Sequence, residues 1–147
     1  MKSAVCRLLG CEATALECIS GGLNSRVYRL ACAGAGPYAV KVYFRHQADG
    51  RDRLGVEFSS LGFLWDSGIR CIPRPISADR DFGCAVYEYI EGTRISSQDV
   101  TVADIGEAVQ FLATLKDLAQ HQDSRKLPVA SEARFSPQAI VENIEQR

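Results

Sequence analysis

Lys41 sits between two valines in the run Tyr38-Ala39-Val40-Lys41-Val42-Tyr43. Strict alternation marks this run as a strand, with Val40 and Val42 on one face and Ala39, Lys41 and Tyr43 on the other. An ammonium held mid-strand is costly to desolvate unless an opposite charge meets it, so Lys41 requires an anionic partner. Upstream, Gly21-Gly22 is followed closely by Asn24-Ser25. The two glycines remove side chains where backbone N–H groups could approach an anion such as a phosphate, and Asn24 and Ser25 add short hydrogen-bonding groups beside them. The same composition serves an ordinary hairpin turn, in which Gly-Gly and Asn are common, so the turn alone does not decide between structure and anion binding.

These groups need elements to position them. Short extended runs at Leu16 to Ile19, Arg26 to Cys32 and Tyr38 to Phe44, separated by turns, predict a three-stranded meander. After a polar stretch around Asp49 and Gly50, Leu54, Phe58, Leu61 and Trp65 recur at helical spacing, and Gly68 follows as a stop signal. Glu57 falls at the edge of that apolar stripe, where it can reach a neighbouring sheet. Ile72-Pro73-Arg74-Pro75 cannot be helical and reads as an extended connector. Ile76 to Ala78 and Cys84 to Ile90 then predict two more strands around a turn at Asp79 to Gly83. Past Gly92, Val102, Ile105, Val109, Leu112 and Leu115 or Lys116 predict a helix of about five turns, with Ser96, Ser97 and Asp99 as capping-type residues before it. Ser136-Pro137 opens a last helical pattern.

The 147 residues carry 17 basic and 18 acidic side chains, a balance that attracts neither a nucleic acid nor an anionic membrane. Arg7, Glu12 and Glu17 interrupt the apolar residues near the N-terminus before a signal-peptide core could form. No run approaches the roughly 20 apolar residues of a membrane-spanning helix, and the expectation is a cytoplasmic protein. Six cysteines, at 6, 11, 18, 32, 71 and 84, lie at irregular spacings without a C-x-x-C pair. They are expected to be small buried thiols rather than disulfides or zinc ligands.

Three motifs occur in order: Ile19-Ser20-Gly21-Gly22-Leu23-Asn24-Ser25-Arg26-Val27-Tyr28-Arg29-Leu30, then Tyr38 to Tyr43, then Tyr87-Glu88-Tyr89-Ile90-Glu91-Gly92. Together they resemble the small-molecule kinases of the aminoglycoside phosphotransferase and choline kinase type. The resemblance implies an α+β fold, with a protein-kinase-like small lobe of five antiparallel strands plus one helix over residues 1–92. A linker and the first helices of an incomplete C-terminal lobe would occupy 93–147. It further implies that Glu57 pairs with Lys41 and holds its ammonium against the phosphates of ATP. Gly21, Gly22, Asn24 and Ser25 would cover those phosphates, and the backbone of Glu88, Tyr89 and Ile90 would read the adenine edge. The competing account of the first pair is a lysine at the sheet edge reaching water, with Glu57 on a solvated helix face.

Two further triplets are accidents of composition. Asp81-Phe82-Gly83 spells a kinase metal-binding triplet and His121-Gln122-Asp123 resembles a catalytic loop, but in kinases the loop precedes the triplet, and here the order is reversed. The position five residues after Asp123, where a metal-binding Asn would stand, is Pro128. No catalytic base or metal ligand is therefore assigned, and magnesium would accompany ATP only in a complete enzyme. The expectation is the ATP-binding part of an enzyme that transfers the γ-phosphate to a hydroxyl of an aminoglycoside-, choline- or sugar-like acceptor, inactive without its catalytic lobe. The alternative is a non-catalytic module that binds nucleotide or another protein. On the first reading the helices after Gly92 lack the lobe they would pack against and are expected to expose Val102, Ile105, Val109 or Leu112 and to favour self-association, whereas a self-contained module would stay monomeric.

Overall fold

Period-two alternation builds the centre of the chain. A computed structural model describes residues 2–22, 24–45, 50–128, 136, 138 and 141. In it, β1 (Ala13–Gly21), β2 (Ser25–Cys32) and β3 (Ala35–Tyr43) form the expected meander. The second hairpin, β4 (Pro75–Asp79) and β5 (Cys84–Glu88), joins it through β5, giving the antiparallel order β1-β2-β3-β5-β4. Gly83, at φ 73°, makes the tight turn between β4 and β5, and its carbonyl accepts the Tyr43 N–H at 2.9 Å.

Each face of the sheet has its own core. On one, Val40 and Val42 pack with Leu30, Cys84 and Val86 beneath Val5 of a short helix, α1 (Lys2–Leu9). On the other, Tyr43, Ala39, Ala85 and Tyr87 pack against Leu54, Phe58 and Leu61 of α2 (Arg53–Asp66). Lys41 shares this second face, as its alternation requires. The Asp52 carboxylate caps α2 by accepting the Gly55 N–H at 2.8 Å, and Gly68, at φ 92°, follows its end.

Several expectations need correction. α1 was not foreseen, and it covers the face opposite α2. β1 begins at Ala13 rather than Leu16, and β5 ends at Glu88, leaving Tyr89 and Ile90 outside the strand. The last described long helix, α3 (Val102–Leu118), is capped by Thr101 in a reciprocal box with Asp104, not by Ser96, Ser97 or Asp99. Cysteine burial was over-generalised: Cys11 and Cys32 are joined as a disulfide, and Cys18 and Cys71 are exposed. The pairing arises because the chain leaving α1 enters β1 at Ala13, whose register partner is Cys32. Of the final helix expected from Ser136, residues 136, 138 and 141 alone are described, and Leu23 and Asp49 also lie outside the described residues. Among the described residues no helix is long and apolar enough to cross a membrane.

Candidate functional site

The cleft-facing surface of the sheet follows from register. Ser25 stands opposite Tyr43, Val27 opposite Lys41, and Arg29 opposite Ala39. Opposed residues share a face, so these six side chains lie on the α2 side with Ala85 and Tyr87 of β5.

Lys41 and Glu57 meet there. The Lys41 ammonium donates to both Glu57 carboxylate oxygens, at 2.8 Å to Oε1 and 2.6 Å to Oε2. A quarter of the Lys41 side chain and about a third of that of Glu57 remain exposed, so the pair is partly desolvated but open to a ligand. The Lys41 nitrogen also lies 5.1 Å from the centroid of the Tyr43 ring. Tyr43 and Tyr87 are buried, with their hydroxyls 2.8 Å apart. Burial, then the bond to Tyr87, pushes the Tyr43 hydroxyl far above the usual tyrosine range. Tyr87 rises to about 12, chiefly through burial, with the Glu57 charge adding to the rise and the bond from Tyr43 opposing it.

A cleft of about 330 Å³ opens beside this group, lined by Asn24, Ser25, Lys41, Tyr43 and Glu57, with Arg51, Asp52, Arg53 and Val56 at the start of α2. The turn that precedes β2 thus stands at one end of the cleft. Gly21 ends β1, the Gly22 N–H donates to the Ser25 carbonyl at 3.0 Å, and the Asn24 carbonyl accepts the Phe44 N–H at 3.0 Å. Gly22 is not among the glycines at positive φ, and a Cβ there would meet nothing within 4 Å. The local fold therefore places no demand for glycine at 22.

The segment after β5 runs along the sheet at the far end from the turn. The Glu88 N–H donates to the Arg74 carbonyl at 2.9 Å, which commits it to the fold. Arg29 stacks 5.1 Å from the Tyr89 ring and pairs with Glu91 at 3.4 Å, pinning the connector to β2. Ile90 is exposed.

The two rejected triplets lie elsewhere. Asp81-Phe82-Gly83 builds the exposed β4–β5 turn, where the Phe82 N–H donates to Asp79 at 2.8 Å. His121 and Asp123 sit in an exposed 3₁₀ turn, Gln122–Lys126, with Asp123 paired to Lys126 at 2.6 Å. Among the described residues, no group of three or more His, Cys, Asp or Glu could hold a metal ion.

The sequence pointed to Asn24, Ser25, Lys41 and Glu57 and missed the rest of the lining. Tyr43, Arg51, Asp52, Arg53 and Val56 were not singled out, although alternation already placed Tyr43 on the face of Lys41. No family model and no curated protein matches the chain. Among solved structures, it is similar to a candidate fructosamine-3-kinase from Thermobifida fusca YX-ER1, with a TM-score of 0.53 and 21% identity. The match covers 65% of this chain and 33% of the other, so it spans a third of that protein's length. The fold is that of a kinase-like N-terminal lobe, α+β with five antiparallel strands.

Proposed function

We propose that residues 1–147 form the ATP-binding part of a small-molecule phosphotransferase, one that passes the γ-phosphate of ATP to a hydroxyl on an acceptor of the aminoglycoside, choline or sugar type. The observation that carries this reading is the Lys41–Glu57 pair, held across the cleft between β3 and α2 with the Asn24-Ser25 turn beside it.

The residues present fit a nucleotide. Lys41 is a fixed, partly exposed cation at the phosphate end, and Glu57 keeps it pointing into the cleft. Gly22, which the fold does not require to be glycine, leaves the turn open to phosphate oxygens. Val27 and Ala39 offer an apolar surface on the same face for a base to lie against. Because Glu88 has spent its N–H on Arg74, the base edge falls to the backbone of Tyr89 and Ile90. ATP with its magnesium supplies the activated phosphoryl group. This chain's contribution is to bind and orient it, and the base, the metal ligands and the acceptor pocket belong to a second lobe.

Titration of the purified chain with ATP, by calorimetry or fluorescence, tests the reading. Weak binding is expected, and Lys41→Ala should weaken it by about ten- to a hundredfold, the worth of one charge-assisted contact. Residues 1–147 should transfer no phosphate above background. Equal affinity for the two proteins would remove Lys41 from the site, and magnesium-dependent transfer by this chain would overturn the division of labour.

A further inference from the structure

Lysine has a long flexible stem, and an ammonium that carries a phosphate contact works best when its position is settled before the ligand arrives. On its own strand Lys41 has two neighbours on the cleft face, Ala39 and Tyr43. Ala39, on the side of the β5 connector, is too small to touch the ammonium. Tyr43, on the side of the Asn24-Ser25 turn, presents its ring 5.1 Å from the nitrogen. The ring cannot easily swing away, because Tyr43 is buried and its hydroxyl is bonded to that of Tyr87 at 2.8 Å. Tyr87 is itself buried against the Phe58 ring of α2, with centroids 6.0 Å apart.

We infer that Tyr43, anchored by Tyr87, is a positioning residue of this site: its ring face draws the Lys41 ammonium towards the turn end of the cleft, where it is ready for phosphate. The inference rests on the nucleotide-binding reading above and adds to it a residue that acts on the ligand through Lys41. Glu57 holds the ammonium from the helix side, through both carboxylate oxygens. The ring supplies a second attraction from another direction, and it is also one wall of the cleft.

A double-mutant cycle on the full 147-residue chain tests this, using ATP affinity as the readout. Tyr43→Leu is expected to weaken binding about two- to fivefold, the range of a cation–π contact at a partly exposed site. Tyr43→Phe, which keeps the ring, should recover most of that loss. In a Lys41→Met background Tyr43→Leu should have no further effect. A loss of the same size in both backgrounds would make Tyr43 a merely structural residue and overturn the inference, while leaving the nucleotide site standing. If Lys41→Met itself leaves affinity unchanged, the nucleotide reading fails and the inference fails with it. NMR of the ligand-free chain gives an independent check should Tyr43→Leu not fold. The methylene protons next to the Lys41 ammonium, assigned by their loss in Lys41→Met, should show a ring-current shift in the wild type and in Tyr43→Phe. Random-coil positions for them would overturn the inference without any titration.

Discussion

Glu57 accepts two hydrogen bonds from Lys41, one on each carboxylate oxygen, across 16 positions of sequence and from helix to strand. A pair in this setting is only partly desolvated, so its worth lies between that of a solvated ion pair and that of a buried one. Lys41→Met should destabilise the chain by about 1–2 kcal/mol, because it strands the Glu57 charge against Tyr43 and Tyr87. Adding Glu57→Leu should return most of that loss. Urea denaturation of the three proteins measures it, and a double variant less stable than Lys41→Met would show that the pair is not the source of the cost.

Gly55 and Asp52 make a second testable unit. Asp52 accepts from the Gly55 N–H at 2.8 Å and from Arg80 at 2.8 Å, joining the start of α2 to the β4–β5 turn. Replacing glycine by alanine within a helix normally gains about 1 kcal/mol. Here a Cβ on residue 55 would meet the Asp52 carboxylate and the Arg80 guanidinium, ends of exposed side chains that can move aside only by giving up the cap, so Gly55→Ala should gain little or nothing. Asp52→Ala should cost about 1 kcal/mol as a lost cap. The Gly55 N–H first, then Arg80, holds the Asp52 carboxyl below its ordinary 3.8. A depressed carboxyl contributes stability that is present above its unfolded value and is lost as pH falls through the folded one. The Asp52→Ala penalty should therefore shrink below about pH 4, as thermal melts across acid pH would record. A penalty of constant size would refute the cap.

The tyrosine pair predicts an alkaline limit. Tyr87 stays protonated up to about 12 in the folded chain and ionises near 10.0 when unfolded, and Tyr43 is held higher still. Above the unfolded value the unfolded chain binds fewer protons than the native one, so stability falls as pH rises from about 10 towards 12. Tyr87→Phe removes one of these groups and should flatten the fall, at the cost of about 1 kcal/mol at neutral pH from the lost hydroxyl bond. Denaturation midpoints between pH 8 and 12 test the slope, and identical slopes for the two proteins would place the titrating group elsewhere.

How much of this was legible depended on distance along the chain. Lys41 could be placed on the correct face from six residues, because period-two alternation is local and its neighbours Val40 and Val42 are unambiguous. The Leu54, Phe58, Leu61 and Trp65 stripe likewise fixed α2 and left Glu57 at its edge. Helix α1 was harder to see, since eight residues hold barely two turns of pattern and its burial of Val5 depends on the far side of a sheet not yet formed. The Cys11–Cys32 pairing and the Tyr43–Tyr87 bond each require strand register, which no single segment contains. Thr101 lost out as a cap to Ser96, Ser97 and Asp99 because several capping-type residues precede α3, and Ser96 with Asp99 three residues on has the same spacing as Thr101 with Asp104, the pair that closes the box.

Helix α3 supports the last prediction. Val102 is 87% exposed, and Ile105, Val109 and Leu112 are each more than half exposed. At intervals of three, four and three residues these four share one face, which forms an apolar stripe that the described residues do not cover. Water contact along such a stripe is unfavourable, at roughly 25 cal/mol for each Å² that another surface could cover. The isolated 147-residue chain should therefore self-associate as its concentration rises, with stripe against stripe in a second copy. Sedimentation velocity over a wide concentration range should show a shift from monomer to dimer or larger species. Val109→Ser with Leu112→Ser should move that shift to at least about tenfold higher concentration, since each buried aliphatic side chain is worth on the order of 1.5–3 kcal/mol. Both substitutions lie on an exposed helix face, so the melting temperature of the monomer should hardly change. A monodisperse monomer at high concentration would show that the stripe is covered within the chain itself, and an unchanged association in the double variant would place the contact on a different surface.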